Sequence, residues 1–165
     1  MSDATARLSL PFIMPGQAQK ELYHNEALAR IDMALHAAVE GQPLATPPAD
    51  PAVEQGWIVG GGATGEWSGK DESLACWTEG GWRFVVPVPG MCVWNKAAGY
   101  RIHWTGSAWS SGELPVKSLV VGGLQVIGER QPAVPSPSGG TVIDEEARAA
   151  VAAITAALKS HGLID

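Results

Sequence analysis

All seven tryptophans of this 165-residue chain fall between Trp57 and Trp109. Their spacing repeats. A shift of 27 residues matches Trp67 to Trp94, Trp77 to Trp104, Thr78 to Thr105 and Trp82 to Trp109. Each copy closes with the pattern W-T-x-x-x-W. Four residues between two tryptophans suit a hairpin whose indoles pair across the strands on one face. Tyr100, Ile102 and Trp104 alternate with Arg101 and His103, the period of a half-buried strand, and Trp82, Phe84 and Val86 alternate with Arg83 and Val85 in the same way. Glycine pairs and Pro89-Gly90 supply turns. Two copies are fewer than a solenoid needs, so the repeat predicts a small β unit built on aromatic layers.

The flanks read differently. Residues 17–40 contain neither Gly nor Pro and predict a helix, with Leu28, Ile31, Leu35 and Ala38 as a narrow apolar stripe extended by Glu21 and His24. Gly41 is placed to end it. Residues 42–55 are a Pro-rich connector, expected to be extended. Residues 56–128 form the Trp-rich module, closing with two strands about Gly122-Gly123. Residues 129–143 read as a second linker. Residues 144–165 predict an amphipathic helix with Asp144 as N-cap, Gly162 as the residue after the C-cap, and Ala147, Val151, Ile154 and Leu158 on one face. With residues 1–41 as N-terminal arm and helix, the expected class is α+β, mainly antiparallel β, with a helix at each end.

Charge narrows the partners. The net charge is −6, and residues 1–50, 51–128 and 129–165 carry −3, −1 and −2. No segment is basic, which argues against nucleic acid and against an anionic membrane surface. No run is long enough to span a bilayer, and the N-terminus lacks the apolar core of a secretory signal, so synthesis in the cytoplasm is expected. Cys76 and Cys92 do not make a disulfide framework and read as two core-filling thiols.

Catalytic motifs are imitated rather than present. Gly60 to Gly65 spell G-x-G-x-x-G, but Glu66-Trp67 follows instead of a helix, so a dinucleotide site and a P-loop both fail and a flexible hairpin loop is expected. No G-x-S-x-G occurs. His24 and His103 read as surface or packing residues, and no second ligand stands at metal spacing. Glu66, Asp71, Glu72 and Glu79 lie in turn-like stretches where a raised pKa is hard to arrange. The expectation is a non-enzymatic protein without cofactor or metal. An exposed indole can instead stack on the C–H face of a sugar, and Trp67, Trp94, Trp104, Trp109 and Tyr100 are the candidates for such a surface.

Several stretches carry a resemblance: LPFIMPGQAQKELYHNEAL, GWIVGGGATGEW, ACWTEGGWRFVVPVPGMCVW, GLQVIGERQPAV and GGTVIDEEARAAVAAITAALKSHGLI. They resemble uncharacterised bacterial proteins encoded in tailed-phage, prophage and gene-transfer-agent structural clusters, similar to fibre and head-spike components. The resemblance implies a subunit displayed on a virion or phage-like particle, in contact with other virion structural proteins and attaching weakly but multivalently to host surface polysaccharide. It also implies a parallel homotrimer, with Leu28, Ile31 and Leu35 as one seam and Val151, Ile154 and Leu158 as the other; the competing arrangement packs both helices on the sheet of their own chain. The alternative is a structural adaptor that docks a separate receptor-binding fibre. A polysaccharide-degrading enzyme is the third reading.

Overall fold

The two W-T-x-x-x-W segments form the two hairpins that organise the chain. The computed structural model describes residues 3–14, 16 and 20–165. Residues 17–19, where the expected helix begins and part of the GQAQKE motif falls, lie outside the described residues. In chain order the elements are helix α1 (Lys20–Ala34), strands β1 (Ala38–Val39) and β2 (Gly56–Ile58), a 3-10 turn (Gly65–Trp67), strands β3 (Leu74–Thr78), β4 (Gly81–Val85), β5 (Cys92–Asn95), β6 (Tyr100–Trp104), β7 (Trp109–Ser111), β8 (Leu119–Val121) and β9 (Leu124–Ile127), and helix α2 (Glu145–Ser160). The class is α+β with mainly antiparallel sheets. The chain divides into two units, residues 1–113 and 114–165.

In the first unit Trp77 stands opposite Trp82 across β3–β4, and Trp104 opposite Trp109 across β6–β7. Each pair packs edge-to-face, with ring centroids 5.1 and 5.5 Å apart, the geometry the indole quadrupole favours. The threonine after the first tryptophan braces both turns alike. Thr78 Oγ1 donates to Gly81 O (2.7 Å) and accepts from the Gly80 N–H (3.2 Å). Thr105 Oγ1 donates to Ala108 O (2.9 Å) and accepts from the Ser107 N–H (3.4 Å).

These hairpins belong to two sheets. One has the order β1-β5-β6-β7 and the other β2-β3-β4. Residues alternate between faces, so Val39, Val93 and Ile102 point to one side of the first sheet. They meet Ile58, Leu74 and Cys76 of the second sheet, with Met33 and Ala37, in one core. The opposite face of the three-stranded sheet has a core of its own, in which Trp57 and Ala75 pack with Val59 and Trp67. Gly56 allows the sheets to approach: a Cβ there would lie 2.9 Å from both Ala38 O and Cys76 Sγ.

The helix expected through residue 40 ends at Ala34, because tertiary partners take the chain that follows. His36 adopts a positive φ of 51°. Trp94 N donates to Ala37 O (2.8 Å) and Lys96 N to Val39 O (2.9 Å), which turns residues 38–39 into the parallel edge strand β1. The guanidinium of Arg7 donates to the carbonyls of Asp32, Met33, Leu35 and His36, closing the helix end. Asp32 is buried and holds the arm in turn, accepting from Thr5 Oγ1 (2.8 Å), the Arg7 N–H (3.1 Å) and the Leu8 N–H (2.6 Å). Asn25 brackets Ile13 by donating to its carbonyl (3.1 Å) and accepting from its N–H (2.9 Å).

The connector is laid against the sheet rather than left free. Leu44 N donates to Ile58 O (3.1 Å), Gly60 N donates to Leu44 O (2.8 Å), and Thr64 N donates to Ala45 O (2.8 Å). The glycine loop is tied at its far side too, where the Asp71 carboxylate accepts from the N–H groups of Gly62 (3.3 Å) and Ala63 (2.9 Å). It is a pinned lead into the 3-10 turn, not the free hairpin loop its composition suggests.

The second unit contains the β8–β9 hairpin and α2. Asp144 caps α2 by accepting from the Ala147 N–H (2.8 Å), and Gly162 (φ 68°) follows its C-cap, with the Leu163 N–H closing on Leu158 O (3.0 Å). The end of the chain is stitched to the start of the second linker: Arg130 donates twice to Ile164 O, and Gln131 and Ile164 form a parallel bridge. Ile164 is the only buried residue of this unit. Every residue of β8 and β9 is exposed.

Asp32→Ala is expected to free residues 3–12. Hydrogen bonds to a charged acceptor each contribute about 1.5–3 kcal/mol. The expected loss is on the order of 2–4 kcal/mol in a denaturant titration, with new proteolytic cleavage inside the arm.

Candidate functional site

The five aromatic residues expected to make a sugar surface do not share one face. Trp67 sits in the 3-10 turn with no solvent exposure, its ring 4.9 Å from that of Trp82 and 6.4 Å from that of Trp57. No face of it is free to stack, and it is removed from the candidate surface. The 27-residue repeat misleads here, because its partner Trp94 lies on a strand. Tyr100, Trp104 and Trp109 are half-buried and share the inner face of the four-stranded sheet with Ile102. The indole N–H of Trp109 donates to Glu72 O (2.8 Å), and the Tyr100 hydroxyl pairs with Ser111 Oγ (3.1 Å).

Trp94 alone points outward. Val93 and Asn95 on either side are buried, while Trp94 is 45% exposed. Its cross-strand neighbour is Arg101, and the next pair on the same face is Cys92 with His103, followed by Ser110. The outer face of this sheet therefore presents one broad indole beside an exposed guanidinium and a half-buried imidazole. A large exposed apolar group among hydrogen-bonding side chains is a common mark of a binding surface.

The structure also assembles a groove that no sequence pattern signals. It lies between α1 and β4 and has a volume of about 770 Å³. Trp82 and Phe84 supply its aromatic walls, and Arg30, Lys70 and Arg83 its charges. Glu26 Oε2 pairs with Arg83 Nε (2.7 Å) and Glu26 Oε1 with Arg30 Nε (3.1 Å). Lys70 Nζ stands 5.6 Å from the Phe84 ring centroid, within cation–π range. Its cations come from positions 30, 70 and 83, so nothing local in the sequence marks it.

The proposed seams lie where they are accessible. Ile31 and Leu35 are 48% and 50% exposed and Leu28 is half-buried, while α1 turns Asp32 and Met33 inward. Val151 and Ile154 are exposed and Leu158 is half-buried. Of the carboxylates weighed for catalysis, Glu66, Asp71 and Glu79 are exposed and Glu72 is half-buried. Among the described residues no group of three His, Cys, Asp or Glu side chains is placed to hold a metal ion, and no helix is long and apolar enough to cross a membrane.

These features define a small Trp-rich α+β domain followed by a second unit with almost no interior. Residues 24–110 match a family described as a protein of unknown function, DUF2793, and the chain belongs to that family. The match runs from α1 through the Trp104–Trp109 hairpin. No curated protein matches the chain.

The two thiols differ, against the expectation that both fill the core. Cys76 is buried between the sheets, and Cys92 is exposed on the outer face. Burial pushes the Cys76 thiol up from 9.0 to about 12. A thiol reagent at pH 8 is therefore expected to modify Cys92 rapidly and Cys76 only after unfolding. Above pH 9 an unfolded Cys76 ionises while the folded one stays neutral, so stability from this group falls between pH 9 and about 12. Cys76→Ser should flatten that decline in a pH series of unfolding curves.

Proposed function

We propose that this protein is a non-enzymatic spike or fibre subunit of a phage-like particle that binds host surface polysaccharide weakly and gains strength from display in many copies. The carrying observation is Trp94, the one tryptophan whose side chain stands on an outer sheet face with polar neighbours. A single flat indole contributes modest affinity, and repetition on one particle raises it by orders of magnitude without any new contact. Repetition needs assembly, and the exposed apolar residues of α1, α2 and β8–β9 are suited to it. In this reading Leu28, Ile31, Leu35, Val151, Ile154 and Leu158 contribute to trimer seams.

A second reading, a structural adaptor between virion proteins and a separate receptor-binding fibre, draws on a different observation. The other six tryptophans are buried or half-buried and serve the core. An adaptor needs no exposed Trp94, so that residue separates the two.

Binding of the full-length protein to an array of bacterial surface polysaccharides is the test. Trp94→Ala should lower binding by about tenfold, or about 1.4 kcal/mol, with the melting temperature unchanged. Binding that survives Trp94→Ala unaltered, or no binding by the assembled protein, contradicts the polysaccharide reading. Stable incorporation into particles without polysaccharide binding would favour the adaptor.

A further inference from the structure

We propose that the groove between α1 and β4 is a second site, separate from Trp94, that takes a carboxylate-bearing saccharide such as a uronate. Three cationic side chains, Arg30, Lys70 and Arg83, border it against one carboxylate, Glu26. That is a local charge of +2 on a chain whose net charge is −6. Glu26 is shared by both guanidinium groups. It neutralises one positive charge and holds Arg83, whose Nη1 also donates to Gly80 O (3.0 Å) and Trp82 O (3.1 Å). Arg83 is thus an oriented cation, with little side-chain freedom left to lose on binding.

Lys70 is the cation available to a ligand. Among the described residues its ammonium has no carboxylate partner, and it stands over the Phe84 ring. The residue is anchored by its backbone: Lys70 N donates to Trp67 O (2.9 Å), and Lys70 O accepts from the Ser73 N–H (3.0 Å). The buried indole of Trp67 therefore fixes where Lys70 emerges. The walls between the charges are apolar, with Trp82 and Phe84 on one side and Ile31 on the other. Aromatic and aliphatic walls fit the C–H faces of a sugar ring, and the surplus cations fit its carboxylate. The volume of about 770 Å³ accommodates a short oligosaccharide.

The site is independent of Trp94, which occupies the outer face of the other sheet. Its test uses oligogalacturonate, its neutral methyl ester and polyglutamate as probes, with binding to the full-length protein measured by calorimetry at two salt concentrations. Oligogalacturonate should bind, weaken as salt rises, and bind at least about tenfold more tightly than the ester. Lys70→Gln should remove most of that preference. Arg30→Gln, at an exposed pair of small energetic weight, should reduce it further with the fold intact. Trp94→Ala should leave it unchanged.

Equal binding of acid and ester, no binding of either, or insensitivity to both Lys70→Gln and Arg30→Gln would overturn the site. Polyglutamate bound as tightly, with the same dependence on Lys70, would overturn the saccharide in favour of an acidic peptide. None of these results bears on the Trp94 surface, which stands or falls on the array measurement with Trp94→Ala.

Discussion

Trp82 meets three other indoles, and much of the first unit depends on those contacts. Its ring centroid lies 4.9 Å from Trp67, 5.1 Å from Trp77 and 5.7 Å from Trp57, all edge-to-face. The Trp67 ring covers part of the three-stranded sheet on the side away from the main core, so both faces of that sheet carry apolar packing. The 3-10 turn that carries Trp67 is fixed by the same contact. From there the chain is positioned step by step: Lys70 bonds back to Trp67, Glu72 N donates to Val59 O, and Glu72 O accepts the Trp109 indole N–H from the other sheet. One aromatic stack thus sets the groove wall and ties the two sheets together.

The energetics favour this arrangement despite a cost. The Trp67 indole N–H is buried without a partner among the described residues. An unpaired buried donor costs about 1–3 kcal/mol. Burying roughly 200 Å² of indole at about 25 cal/mol per Å² contributes about 5 kcal/mol, and the edge-to-face contacts add to it. Packing prevails over the lost hydrogen bond. The second unit shows the opposite balance: apart from the half-buried Leu158, its apolar side chains on β8, β9 and α2 are exposed, and its visible order comes from the N-cap, the Gly162 stop and the backbone lacing of Arg130 and Gln131 to the end of the chain. The assembly put forward above would supply the burial that this unit lacks by itself.

Local patterns were legible where local physics decides. The W-T-x-x-x-W spacing located both hairpins, because four intervening residues and a turn-bracing threonine permit little else. The Asp144 and Gly162 caps located α2. Illegible parts were those settled by distant partners. Nothing within residues 35–40 says that Arg7 and β5 will take their carbonyls, so sequence alone predicts too long a helix. The repeat equated Trp67 with Trp94, yet one lies in a turn under an indole cluster and the other on an outer strand face. Alternation identified Tyr100 and Trp104 as equivalent in facing, but not that this face is the inner one. Composition cannot tell the two faces of β5 apart, so Cys92 reads as a core thiol although it is exposed. The α1–β4 groove was invisible, since its charges are scattered through the chain.

On the proposed reading, seven chemically alike side chains divide into five that serve the fold alone, Trp82, which also walls the groove, and Trp94, which would meet a ligand from the outer sheet face. Fluorine NMR of the protein labelled with fluorotryptophan, titrated with an uncharged polysaccharide that it binds and that the cationic groove does not select, tests this division directly. One resonance, assigned to Trp94 by its loss in Trp94→Phe, should shift or broaden while the other six hold their positions. Shifts spread over Trp104, Trp109 or Trp67, or a Trp94 resonance that stays in place at saturation, would contradict it.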